Sequence, residues 1–139
     1  MRELTGHKVN GVNDGLQIVV RDEPGHGGAC HKYHVTTTEY PPPIGRGMSS
    51  DDLRKAQAMH RAVHDLRFQN GPIAEAGVNG ITHEVLLTIL SDRLEGFQRG
   101  PFACFENERA LYHVREALGW LRHRTADRLA RCVEGTNLT

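Results

Sequence analysis

Two short stretches near the N-terminus read as strands. Gly15-Leu16-Gln17-Ile18-Val19-Val20-Arg21 is one, and residues 29–36 are another, with Tyr33 and Val35 on one face. Asp22-Glu23-Pro24-Gly25-His26-Gly27-Gly28 between them is rich in turn formers, so the pair is expected to fold as an antiparallel hairpin. A loop follows from Tyr40-Pro41-Pro42-Pro43 to Ser50. From there the spacing changes to three and four. Leu53, Ala56, Met59, Val63 and Leu66 predict a helix over about 51–66, capped by Ser50 or Asp51, with a short strand at Arg67–Asn70.

Phe68-Gln69-Asn70-Gly71-Pro72 recurs as Phe97-Gln98-Arg99-Gly100-Pro101. Each copy closes one element and opens the next, because Gly permits a turn and Pro ends local hydrogen bonding. Between the copies, Leu86, Ile89, Leu90, Leu94 and Phe97 mark a helix capped by Thr82 or Asn79. After the second copy, Leu111, Val114, Leu118, Leu121, Thr125, Leu129 and Cys132 mark a longer helix that stops near Glu134-Gly135. At about 1.5 Å per residue the two helices differ in length by roughly 20 Å. The shorter cannot cover the apolar stripe of the longer, so copies of the same helix are the economical partner, and a homo-oligomer with ligand sites at subunit boundaries is expected.

With 139 residues, the chain fits a single domain, 1–139, in three parts: a β-hairpin region over 1–49, a helical insertion over 50–67, and a strand plus helical-hairpin core over 68–136. The fold class is α+β: a small N-terminal antiparallel β-sheet followed by a long C-terminal helical hairpin. Formal net charge is zero, which argues against bulk attraction to nucleic acid or to an anionic membrane. No run approaches a membrane span, the N-terminus lacks the apolar core of a signal peptide, and three scattered cysteines suit a reducing compartment. The basic residues are unequal in kind, with Arg at 14 of 17 positions, and Arg holds phosphate through a planar fork of donors.

Four of those arginines, Arg122, Arg124, Arg128 and Arg131, lie in the last turns of the long helix. Arg124 and Arg128 are four apart and share a face, where two forks suit a diphosphate. The competing assignment is a solvated helix end, or a pairing with Asp127. Phe97 and Asn107 flank the interhelical turn. An aromatic face stacks a base and an amide edge bonds adenine, but Phe97 also suits packing and Asn107 suits bracing. Metal binding is not expected. Cys30-His31-Lys32-Tyr33-His34 alternates faces on a strand, and His60 and His64 have Arg61 where a zinc protease needs Glu. His34-Val35-Thr36 is half of a paired His-x-Thr phosphodiesterase motif whose second half is missing. An enzyme reading would rest on His26, His31 and His34, and a nucleic-acid-binding reading on the arginine ladder.

Residues 68–136 closely resemble the bacteriophage Thoeris anti-defence sponge family, whose helical hairpin is shared with an anti-CBASS sponge. The resemblance is carried by Phe68-Gln69-Asn70-Gly71-Pro72-Ile73, Gly77-Val78-Asn79-Gly80, Asp92-Arg93-Leu94, Phe97-Gln98, Glu106-Asn107, Trp120-Leu121, Arg124-Thr125-x-x-Arg128 and Val133-Glu134-Gly135-Thr136. It implies a hexamer built from dimers, without cofactor, that sequesters glycocyclic ADP-ribose in the cytoplasm of the infected bacterial host and does not cleave it. It also implies that cyclic di- or trinucleotides of CBASS are held at separate sites. The base-contacting aromatic falls on Phe97, its partner amide on Asn107, and the phosphate-holding arginines on Arg124 and Arg128. For a second ligand, His31 beside the Gly27-Gly28 turn is the candidate, since backbone N–H groups in such turns hold anions. The chain departs from the family pattern at Phe105, Ala74 and Cys132, the last standing where Gly is usual.

Overall fold

The structure, a computed structural model, describes residues 1–38, 44–61, 64–134 and 136, apart from the side chains of His26, His60 and Arg61. The expectations for Tyr40–Pro43, Val63 and Gly135 lie outside the described residues. The chain forms two compact units, Met1–Arg67 and Phe68–Thr139.

The first unit is built on a four-stranded sheet in the order β1 (Arg2–Leu4), β2 (Leu16–Val20), β3 (Lys32–Thr37), β4 (His64–Arg67), with every pairing antiparallel. A short helix α1 (Gly11–Asp14) links β1 to β2, and α2 (Ser50–Arg61) precedes β4. Strand alternation sorts the side chains onto two faces. The Val20–Tyr33–Leu66 row lies on the face where Val20 is 2% exposed. The other face carries the row Val19–His34–Asp65, and beyond it Lys32 opposite Arg67, with Arg21 N–H donating to the Lys32 carbonyl at 2.8 Å.

The predicted hairpin is present as β2 and β3. The helix predicted to run to Leu66 ends by Arg61, and His64–Arg67 is a strand. Leu66 continues the helical spacing of Leu53, Ala56 and Met59, but it pairs with Tyr33 across β3, and His34 Nδ1 meets Asp65 Oδ1 at 2.7 Å. A sheet edge thus overrides local periodicity. The strand expected at Arg67–Asn70 is divided: Arg67 closes β4, and Phe68 makes one isolated parallel bridge to Ile81. The helix α2 is capped by Ser49, whose hydroxyl accepts from Asp52 N–H at 3.1 Å, one residue before the expected Ser50.

In the second unit, α4 (His83–Gln98) and α5 (Phe105–Ala130) pack as a helical hairpin behind the short α3 (Ile73–Ala76). Thr82 caps α4 and Cys104 caps α5. Ion pairs tie the two helices at two levels, Arg115 to Glu95 at 2.8 Å and Arg124 to Glu84 at 3.5 Å. The repeated Phe-Gln-x-Gly-Pro motif is one device used twice. Gln69 accepts from Asn79 N–H at 3.0 Å and donates to the Gly77 carbonyl at 2.8 Å. Gln98 accepts from Cys104 N–H at 3.0 Å and donates to the Cys104 carbonyl at 3.1 Å. In both copies a side-chain amide satisfies a donor and an acceptor of a turn that has no ladder partner. Asn79 completes the first clamp, accepting from Asn70 N–H and donating to the Asn70 carbonyl.

Leu111 and Leu118 are the buried members of the α5 stripe, whereas Leu129 is 59% exposed. Cys132 follows the helix with φ of 57°, the left-handed stop position that Gly fills at least cost.

Candidate functional site

Phe97 closes α4 and is half-buried. Its ring meets Phe102 edge-on, with centroids 6.4 Å apart, and the Arg93 guanidinium lies 5.0 Å from its centroid. Asn107 in the first turn of α5 donates from Nδ2 to the Phe102 carbonyl at 3.4 Å. Phe97 and Asn107 therefore share the turn end of the hairpin, as their sequence positions predicted, and Phe102 joins them there. Phe102 and Phe105 are 70% and 69% exposed there, a cluster of aromatic surface that a single chain leaves open to water.

Arg124 and Arg128 lie at the far end. Asn107 and Arg124 are on one helix, so the rise per residue separates them by about 26 Å. Arg124 is exposed and reaches Glu84 near the start of α4. Arg128 is more enclosed. Its Nε donates to Glu134 at 3.0 Å, and Nη2 donates to the carbonyls of Val133 and Thr136, both at 2.9 Å. It holds the turn that follows α5, a structural duty the sequence did not announce. Of the other two arginines in the ladder, Arg131 pairs with Asp127 at 2.8 Å, and Arg122 is exposed.

His31 belongs to the N-terminal unit. It is 7% exposed, and its Nδ1 has no hydrogen-bond partner, the nearest carboxylate oxygen being Asp22 Oδ2 at 4.0 Å. The N–H groups beside it are already used: Asp22 accepts from His31 N–H and Lys32 N–H, each at 2.9 Å. Asp22 is thus the carboxylate that these two donors hold. Burial pushes the Asp22 carboxyl up, but the N–H donors of His31 and Lys32, with that of Asp22 itself and the nearby His31 charge, together outweigh it and hold the group below its ordinary value of 3.8. A hydrogen bond from His34 does the same for Asp65.

A group with a depressed folded pKa contributes stability that is present above the unfolded value and lost as pH falls through the folded one. The stability of the N-terminal unit is therefore expected to fall with pH below 3.8. Asp22→Asn should lower the urea midpoint at neutral pH, and its deficit should shrink in acid. A deficit independent of pH would show that the carboxylate charge is not what orders the turn.

Among the described residues, no three His, Cys, Asp or Glu side chains cluster to hold a metal ion, and no helix is long and apolar enough to cross a membrane. One group escaped the sequence reading: the cations Arg21, Lys32 and Arg67, which come together only because His64–Arg67 is a strand.

Comparison with known proteins places this sequence in a family. A protein of Bacillus phage SBSphiJ7, Thoeris anti-defense 1, is 46% identical over 72 residues, which are 52% of this chain and 51% of the relative. The matched segment thus spans about half the length of that relative. The Acb2/Tad1 hairpin domain matches residues 57–126, half of this chain, a stretch that includes Phe97, Asn107, Arg124 and all of α4. With all of α4, the turn, α5 as far as Ala126 and the cross-helix ion pairs inside that match, the chain belongs to the Acb2/Tad1 hairpin-domain family.

Proposed function

We propose that this protein is a non-enzymatic phage anti-defence binder that sequesters a cyclic ADP-ribose isomer, glycocyclic ADP-ribose, and so blocks Thoeris immunity in the host cytoplasm. The observation that carries this reading is the family match, which runs through the aromatic–amide pair Phe97 and Asn107 and through Arg124. In this reading adenine stacks on Phe97 and bonds Asn107, and the diphosphate is held by Arg124 and Arg128. The likeness to Thoeris anti-defense 1 supports the choice of signal. A cyclic oligonucleotide of CBASS is the second ligand of the same proposal.

The length of α5 shapes the site. About 26 Å between Asn107 and Arg124 is too far for one small cyclic nucleotide to span within a single chain. The base-binding end of one chain must then meet the arginine end of another, with helices of two copies side by side. Exposed Ile89, Tyr112, Trp120 and Leu129 on the hairpin supply apolar surface for that assembly, proposed as a hexamer built from dimers.

Incubation with glycocyclic ADP-ribose followed by heat denaturation tests the reading. Intact ligand should be released and identified by mass spectrometry. A hydrolysed product would replace sequestration with phosphodiesterase chemistry. Calorimetry against a panel of cyclic ADP-ribose isomers and cyclic di- and trinucleotides ranks the ligands. Tight binding of a cyclic oligonucleotide alone would move the function to the anti-CBASS class.

A further inference from the structure

The polar face of the N-terminal sheet carries Lys32 and Arg67 opposite each other on β3 and β4, with Arg21, the residue after β2, beside Lys32. Like charges directly opposite one another across a sheet are destabilising, so such a row is retained against a cost. All three are exposed, and none lies within ion-pair distance of a carboxylate among the described residues. They line a surface cleft of about 260 Å³ together with Tyr33, His34, Asp65 and Leu66. Three cations against the one carboxylate of Asp65 leave the cleft with two net positive charges, on a chain whose formal net charge is zero. Asp65 is held by His34 at 2.7 Å, and that bond fixes the ring through Nδ1 and leaves Nε2 without a partner among the described residues.

We infer that the Arg21–Lys32–Arg67 cleft on the polar face of the sheet binds the phosphate or diphosphate group of a small ligand. Two guanidinium forks and an ammonium supply the donors such a group needs, with His34 Nε2 beside them. The cleft has the scale of a small anion rather than of a nucleic-acid duplex, and the neutral chain lacks the wider field that backbone binding requires. The site is built from residues of the N-terminal unit alone and does not rest on the proposed signal binding to the helical hairpin. It also differs from the turn at His31, where Asp22 already occupies the N–H donors.

Titration of the full chain with inorganic pyrophosphate at constant ionic strength, followed by amide NMR shifts, tests the inference. Saturable shifts should centre on β3 and β4. Lys32→Ala and Arg67→Ala should each weaken binding about tenfold, the loss of one charge-assisted hydrogen bond, while Lys55→Ala on exposed α2 should leave it unchanged. Adenosine diphosphate and adenosine distinguish the source of the group. Tighter binding of the diphosphate than of pyrophosphate identifies a nucleotide, and equal binding identifies the anion alone. Binding of adenosine as tight as that of its diphosphate would overturn the inference. So would shifts that do not saturate, or that persist unchanged in an Arg21→Ala, Lys32→Ala, Arg67→Ala variant whose amide spectrum remains that of a folded sheet.

Discussion

Gly80→Ala is expected to destabilise the C-terminal unit by about 3 kcal/mol or more. A Cβ at this position would lie 2.3 Å from the Phe68 carbonyl carbon and 2.5 Å from both the Gln69 nitrogen and the Phe68 oxygen. These are backbone atoms, so no rotamer change relieves the overlap. They are also fixed in place, by the Gln69 N–H bond to the Ile81 carbonyl at 2.9 Å and by the Gln69 and Asn79 amide clamps on either side. Separating the segments to admit a methyl group would break several of these bonds together. Gly96→Ala, in the last turn of α4 with nothing within 4 Å of its added Cβ, is the control. It should stabilise by up to about 1 kcal/mol through helix propensity. Urea unfolding followed by circular dichroism reads both. A Gly80→Ala loss as small as a few tenths of a kcal/mol would show that the two segments do not approach so closely.

Mixing two inactive variants should restore ligand binding. Phe97→Ala is expected to remove base stacking worth roughly 1–3 kcal/mol. Arg124→Ala should remove a charge-assisted hydrogen bond worth roughly 1.5–3 kcal/mol. If each site joins Phe97 of one chain to Arg124 of another, a mixed dimer has one site with both defects and one with neither. Co-expressed variants should then show tight sites at a fraction of the wild-type number, counted by calorimetry with glycocyclic ADP-ribose. Uniformly weak binding in the mixture would place both residues' contributions within one chain, or outside the site. Light scattering on the same samples establishes whether the variants still assemble.

The parts of the fold that local pattern encodes were legible in the sequence. The β2–β3 hairpin and the helices α4 and α5 each carry enough periodic residues to declare their type, and Thr82 marks the start of α4 by its capping chemistry. Elements of three or four residues, β1, α1 and α3, are too short to show a period. β4 was hidden for a different reason. Leu66 keeps step with the preceding helix, and only its pairing with Tyr33, 33 positions earlier in the chain, decides its conformation. Misreading that strand also concealed the cation row, because Arg67 reaches the neighbourhood of Lys32 only through β4. At the hairpin, Phe97 and Asn107 flank the turn by their positions in the sequence, and the distance of Asn107 from Arg124 follows from helix rise. The duty of Arg128 in the C-terminal turn does not, since it depends on Val133, Glu134 and Thr136 folding back onto the helix.

Both arginines assigned to the ligand already hold an internal carboxylate, Glu84 for Arg124 and Glu134 for Arg128. On the proposed reading, capture of a diphosphate there would be an ion exchange, in which the incoming oxygens displace resident ones. The guanidinium groups are held in partly ordered poses before the ligand arrives, so less rotamer freedom is lost on binding. The resident carboxylates also screen the arginines from stray monovalent anions. A ligand must offer more than a carboxylate does, in charge or in the two-pronged geometry of neighbouring phosphates, before the exchange becomes favourable. Selectivity in such an end-of-helix site is thus set as much by the anion that leaves as by the one that enters.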